Sequence, residues 1–261
     1  MRCASDTDSG SRSRSWPAGG TARIAGATLA VALVSMPAPA AAGPWARGAG
    51  DVFLSFTFTA EDSLNDIWTY GQLEPVRTQS AYGEVGLGRR LTAGIELDWG
   101  EVSQMSVVFL RWTFTPPETR WQVALDAGIG SRTVEGQPVD SLTRIGGSLG
   151  YGFGAWALDA GELSIGHQGG WISIDAKALL RSEGEDPILQ SEATLGLNLE
   201  ERWLGILAIK AEKWPGAEPV VTARPSVVFE IRDGTAVRAG VHGAIDGNDT
   251  VGASLSLWQE F

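Results

Sequence analysis

The sequence predicts an all-β chain: an antiparallel up-and-down transmembrane β-barrel of about 12 strands, preceded by a cleavable signal peptide. Three observations predict it. Beyond residue 50, apolar and polar residues alternate in successive segments of about ten, the period of a strand and not of a helix. The polar faces are mostly Gly, Ser, Thr and Gln with scattered charges, where a water-facing exterior would be dense in Lys and Glu. Tryptophans gather near the inferred strand ends, as in the girdles of membrane barrels.

The leader is removed first. Arg2, Arg12, Arg14 and Arg23 precede an apolar run from Ile24 to Ser35, and Ala40 and Ala42 supply small residues before a cleavage point. That is the layout of a secretory signal. The run is too short for a spanning helix, which needs about 20 apolar residues. The expected organisation is therefore a signal peptide and N-terminal extension over 1–42 and a barrel over 43–261. Without the four leader arginines and Asp6 and Asp8, the counts fall from 20 basic and 31 acidic residues to 16 and 29, a net charge of −13. Such acidity argues against a nucleic-acid partner. The one cysteine, Cys3, leaves with the leader, and only His167 and His242 are present. No disulfide, thiol nucleophile or multi-histidine metal site is expected, and no cofactor.

The strands follow in order. Val52, Leu54, Phe56 and Phe58 oppose Phe53, Ser55 and Thr57. Ala81, Val85 and Leu87 oppose Tyr82 and Glu84. Leu91, Ala93, Ile95 and Leu97 oppose Thr92, Glu96 and Asp98. Val108, Leu110, Trp112 and Phe114 oppose Arg111 and Thr113. Trp121, Val123, Leu125, Ala127 and Ile129 oppose Gln122, Asp126 and Gly128. Ile145, Leu149, Tyr151 and Phe153 oppose Arg144, Gly146, Ser148 and Gly150. Ile172, Ile174, Ala176 and Ala178 oppose Ser173, Asp175 and Lys177. Ala193, Leu195, Leu197 and Leu199 oppose Glu192, Thr194 and Asn198. Leu207, Ile209 and Ala211 oppose Lys210 and Glu212. Val221, Ala223, Val227, Phe229 and Ile231 oppose Thr222, Arg224, Ser226, Glu230 and Arg232. Val237, Ala239 and Val241 oppose Arg238 and His242. Val251, Ala253, Leu255 and Leu257 close the series.

Turns fall at 88–90, 116–119, 200–202 and 233–234, with longer connectors at 61–76 and 131–140 at the other end. Short turns on one rim and long loops on the other suit a membrane barrel. Two connectors depart from the rule: 100–102 is short on the long-loop side, and 154–169 is long on the short-turn side. Trp112, Phe114, Trp121, Phe153, Trp156, Trp203 and Trp258 fall near the short-turn rim, and Trp99 and Trp214 near the other. Pro225 interrupts a strong strand, where a bulge is the preferred account.

The residues expected to line the lumen are Glu84, Glu96, Asp98, Arg111, Asp126, Arg144, Asp175, Lys177, Glu192, Lys210, Glu212, Arg224, Glu230, Arg232, Arg238 and His242. Two readings stay open, a polar pore or a lumen closed by ion pairs, because buried charges must find partners. Small inward residues at Ala124, Gly128, Gly130, Gly146, Ser148, Gly150, Gly152 and Gly154 leave space for a solute or for bulk from the opposite wall. The Gly-rich stretch 152–157 has no βαβ context and is no dinucleotide site. Glu61, Asp62, Glu183, Glu185 and Asp186 are expected in outer loops.

The segment Val251-Gly-Ala-Ser-Leu-Ser-Leu-Trp-Gln-Glu-Phe261 resembles the C-terminal β-signal of bacterial outer-membrane barrels, with Gln259 departing from the expected apolar position. No single family is singled out. The resemblance implies an outer membrane of a Gram-negative bacterium, contact with lipid and lipopolysaccharide, and recognition by the barrel-assembly machinery through Leu255, Leu257, Trp258 and Phe261. The expected function is a passive channel or transporter for small polar solutes, and not an enzyme. The alternatives are a non-conducting barrel with a structural or surface-interaction role and, less favoured, a lipid hydrolase or acyltransferase.

Overall fold

The structure is a computed structural model that describes residues 43–71, 74–160, 163–182 and 186–261. The expected signal peptide, with Cys3, lies outside them. The strands are β1 (Val52–Ser63), β2 (Val76–Gly86), β3 (Leu91–Gly100), β4 (Ser103–Thr113), β5 (Trp121–Val134), β6 (Asp140–Phe153), β7 (Trp156–Ala160), β8 (Leu163–His167), β9 (Gly170–Arg181), β10 (Ile188–Glu200), β11 (Trp203–Lys213), β12 (Val220–Arg232), β13 (Thr235–Asp246) and β14 (Thr250–Glu260). Twelve of them form one closed antiparallel barrel, each paired with its sequence neighbour, except that β6 pairs directly with β9. β7 and β8 form a separate two-stranded hairpin. Segment 154–169 thus contributes no stave to the wall, which explains its length on the short-turn side.

β1 and β14 close the ring from Phe53↔Glu260 to Ser63↔Thr250. Closure leaves no open sheet edge, the condition for strands to cross hydrocarbon. The apolar rows face outward: Leu54, Phe56, Val108, Leu110, Leu125, Ile129, Ile145, Ile172, Ile174, Leu207, Val241, Leu255 and Leu257 are all exposed. An apolar surface of that extent on a closed barrel is a membrane-facing surface, since soluble monomers rarely expose apolar patches beyond a few hundred Å².

Local findings correct several expectations. There is no bulge at Pro225. The proline pairs with Leu207 on one side, while the ladder to β13 simply lacks pairs at Arg224 and Pro225 between Ala223↔Gly243 and Ser226↔Gly240, with the register unchanged. A ring nitrogen without a proton cannot bridge there. The irregularities of β12 lie elsewhere, at Val221/Thr222 and Glu230/Arg232. The connector expected at 131–140 is shorter, because β5 and β6 are both 14 residues long and pair as far as Arg132↔Asp140. Glu61 and Asp62 belong to β1 and not to a loop.

Beyond β1 the connector folds into the helix α1 (Leu64–Tyr70), capped by Ser63, whose hydroxyl accepts from the Asp66 amide, and stopped by Gly71 in the left-handed region. Asp249, in the turn before β14, accepts from the Ser63 hydroxyl at 2.8 Å and the Asn65 amide at 3.1 Å. These hydrogen bonds hold its carboxyl below the ordinary 3.8. A depressed carboxylate stabilises the fold above its unfolded pKa and loses that contribution as the pH falls through the folded value. Asp249→Ala is expected to speed protease cleavage within 64–71 at neutral pH and to remove the acid-induced acceleration expected of the wild type. Limited proteolysis followed by mass spectrometry checks both.

Candidate functional site

Side chains on alternate positions of every stave project into the barrel, so the interior is fixed by strand parity. It has three levels. The end carrying both strand termini is called the terminal end, and the opposite end the distal end.

At the distal end one side is open to water. Glu192 and Arg224 face one another at 4.0 Å, and Lys210 and Glu212 at 3.0 Å, all of them a quarter to two-fifths exposed. The Gln190 amide donates to Glu212 at 2.7 Å. His242 Nε2 lies 3.0 Å from a Glu61 carboxylate oxygen. Asp98 and Lys177 are half-buried. The other side is filled by an apolar cluster of Val107, Leu142, Leu179 and Ile188, with Met105 and Trp214 packed on it. Trp214 is therefore an inner residue and not part of a girdle, and Arg132 stacks over its ring at 4.7 Å.

The middle level is ionic and mostly buried. Arg144 reaches both Asp126 and Glu96, the latter at 2.6 Å, and Lys177 donates to Glu96 at 2.7 Å. The Arg144 guanidinium stacks on Phe109 at 4.0 Å. Glycines make room for this: a Cβ at Gly146 would sit 2.6 Å from an Asp126 carboxylate oxygen, and one at Gly94 2.2 Å from the Phe109 ring. Gly128 and Gly130 face the backbone and side chains of Phe109 and Val107 in the same way. These small positions accommodate neighbouring bulk and leave no bare wall. Asp175 accepts from the Ser173 hydroxyl at 3.2 Å.

The terminal level is aromatic. Phe53, Trp171, Ile206, Val228 and Trp258 form a buried cluster against Trp45, Tyr82, Leu204 and Ala236. β1, β9, β11, β12 and β14 all contribute, so the cluster spans the bore. Trp258, expected at the rim, points inward at 7% exposure, 5.8 Å from Phe53, with the Arg238 guanidinium 5.7 Å above it. Arg238 also donates to Ser226 at 2.9 Å. Leu255, Leu257 and Phe261 are exposed on the outside. Glu84 is fully enclosed: Arg111 contacts one oxygen at 2.5 Å, Arg47 the other at 3.0 Å, and the Tyr82 hydroxyl donates to it as well. Glu230 is half-buried near this end. Arg232, expected to line the lumen, is exposed at the rim, where it donates to Thr235, because the shift after Glu230 breaks the parity.

The sequence expectations overlooked Trp45, Arg47 and the inward apolar set. Parity could have found Val107, Phe109, Trp171 and Val228, each adjacent to an outward residue already assigned. Nothing in the pattern marks Trp45 or Arg47, which precede β1. Among the described residues His242 is approached by Glu61 and by no serine, and no three His, Cys, Asp or Glu side chains are placed to hold a metal ion.

No family model and no curated protein matches the chain. Solved structures do. An outer membrane channel from Pseudomonas putida F1 is 9% identical with a TM-score of 0.53, covering 85% of this chain and 99% of the other. The KdgM porin in complex with disordered oligogalacturonate is 6% identical with a TM-score of 0.52, covering 80% and 99%. The NanC porin is 7% identical with a TM-score of 0.52, covering 78% and 97%. The chain has the outer-membrane β-barrel fold. At these identities the likeness is one of fold, and no single family of outer-membrane barrels is distinguished.

Proposed function

We propose that this barrel is a passive channel for small polar solutes in the outer membrane of a Gram-negative bacterium, delivered there by the signal peptide at 1–42. The observation that carries the proposal is the distal vestibule. Charged groups of both signs stand there partly exposed inside a closed wall whose exterior is apolar, the layout expected of a water-filled pore. The structural neighbours are described as porins and channels, and one holds an oligogalacturonate, which supports solute passage. Lipid and lipopolysaccharide would contact the outward rows, and Leu255, Leu257, Trp258 and Phe261 would serve the assembly machinery, with Trp258 acting before its side chain is enclosed.

A second reading has an observation of its own. The paired, buried Glu84, Arg111, Asp126 and Arg144 and the aromatic cluster below them narrow the bore, as expected of a non-conducting barrel with a structural or surface-interaction role. Purified protein in a planar bilayer separates the two. Steady open steps in voltage-clamp recordings are expected, and persistent silence at high protein density would overturn the channel.

A further inference from the structure

Residues 43–50 precede the first strand, yet Gly43 and Pro44 are buried and Trp45 to Arg47 are half-buried. Their partners show where the segment lies. The Pro44 carbonyl accepts from the Thr113 hydroxyl of β4 at 2.9 Å. The Arg47 amide donates to Thr92 of β3 at 3.3 Å, and its guanidinium to Glu84 of β2 at 3.0 Å and Glu260 of β14 at 3.1 Å. The same guanidinium lies 4.6 Å from the Phe53 ring of β1. Across the bore, a Cβ on Gly150 of β6 would sit 2.5 Å from the Trp45 ring and 2.6 Å from Pro44, and Gly43 lies beside Ser173 of β9. A segment that touches β1, β2, β3, β4, β6, β9 and β14 lies across the lumen and not along a wall.

We propose that residues 43–47 are the constriction of the channel: a peptide folded into the terminal end of the lumen, with Trp45 as its obstructing group and Arg47 as its anchor. This rests on the channel reading above. Barrel loops narrow a bore from one wall and can be displaced as a unit. Here the obstruction is hydrogen-bonded to one arc of the wall, by Arg47 to Glu84 and Glu260 and by the Pro44 carbonyl to Thr113, and packs against Gly150 of β6 and Ser173 of β9 on the far side.

The test uses the exported full chain. Trp45→Ala is expected to raise single-channel conductance by roughly twofold or more, because conductance follows the narrowest radius. Trp45→Cys adds the only thiol besides Cys3. Its modification by a cationic and by an anionic thiosulfonate should shift ion selectivity in opposite directions, a response that a merely structural tryptophan would not give. Heat-modifiable gel migration confirms that each variant is folded. Conductance and selectivity equal to the wild type in both variants would overturn the constriction while leaving the channel standing. Silence in the wild type and both variants would overturn the two together. Silence in the wild type with steps in Trp45→Ala would overturn the open wild-type channel and support Trp45 as the group that closes the bore.

Discussion

Arg144→Met is expected to cost about 3–5 kcal/mol of unfolding free energy, the range found when one partner of a buried ion pair is removed. Arg144 serves two carboxylates, Asp126 and Glu96, and its head group is 4% exposed. Glu96 keeps Lys177 at 2.7 Å, whereas Asp126 keeps only the field of Arg111 opposite it on β4, whose guanidinium is already paired with Glu84. The variant therefore leaves one enclosed carboxylate with no cation bonded to it, beside a glycine that admits no shielding side chain. Adding Asp126→Leu should recover most of the loss, since replacing a whole buried pair by apolar groups of similar volume is often neutral. Urea titration of the protein refolded into vesicles, followed by tryptophan fluorescence, measures both. A loss under 1 kcal/mol for the single variant would show that water reaches Asp126 freely and that the middle level is not dry.

This ionic level also marks where sequence reasoning stops. The strands were legible because period-2 alternation is a property of single segments, and each outward row from Leu54 to Leu257 is stated by its own residues. The pairing of Arg144 with Asp126 was not legible, although the two were placed on the same inner face. Parity assigns a side, whereas partners depend on the register of β5 against β6, here Asp126↔Gly146 and Gly128↔Arg144. Pro225 misled for a related reason: a missing amide proton can be absorbed by skipping ladder positions as well as by a bulge, and the choice lies in the neighbouring strand. Trp258 was read from its nearness to a rim, yet parity with Leu257 outward already sends it inward. The segment 43–47 lies outside any alternation, so its return into the lumen was invisible in the sequence. Only the glycines opposite it, above all Gly150, carry a trace of that packing.

Ile174→Arg should be the most damaging change on the outer surface. Ile174 stands near the middle of β9, between Leu149 of β6 and Ala193 of β10, and is 53% exposed on the barrel exterior. At the bilayer midplane an arginine on the lipid face of a barrel costs about 2–4 kcal/mol, falling to about 0–1 near the interfaces. The same substitution at Val139, in the distal connector and 64% exposed, should then cost less than about 1 kcal/mol. Depth, and not exposure, is what separates the two sites. The contrast discriminates between solvents: in a water-soluble barrel both exposed positions would accept arginine alike. Unfolding titrations of the two variants in vesicles supply the comparison. Equal and small losses at both positions would mean that the outward rows do not meet hydrocarbon, and the membrane assignment would fall with them.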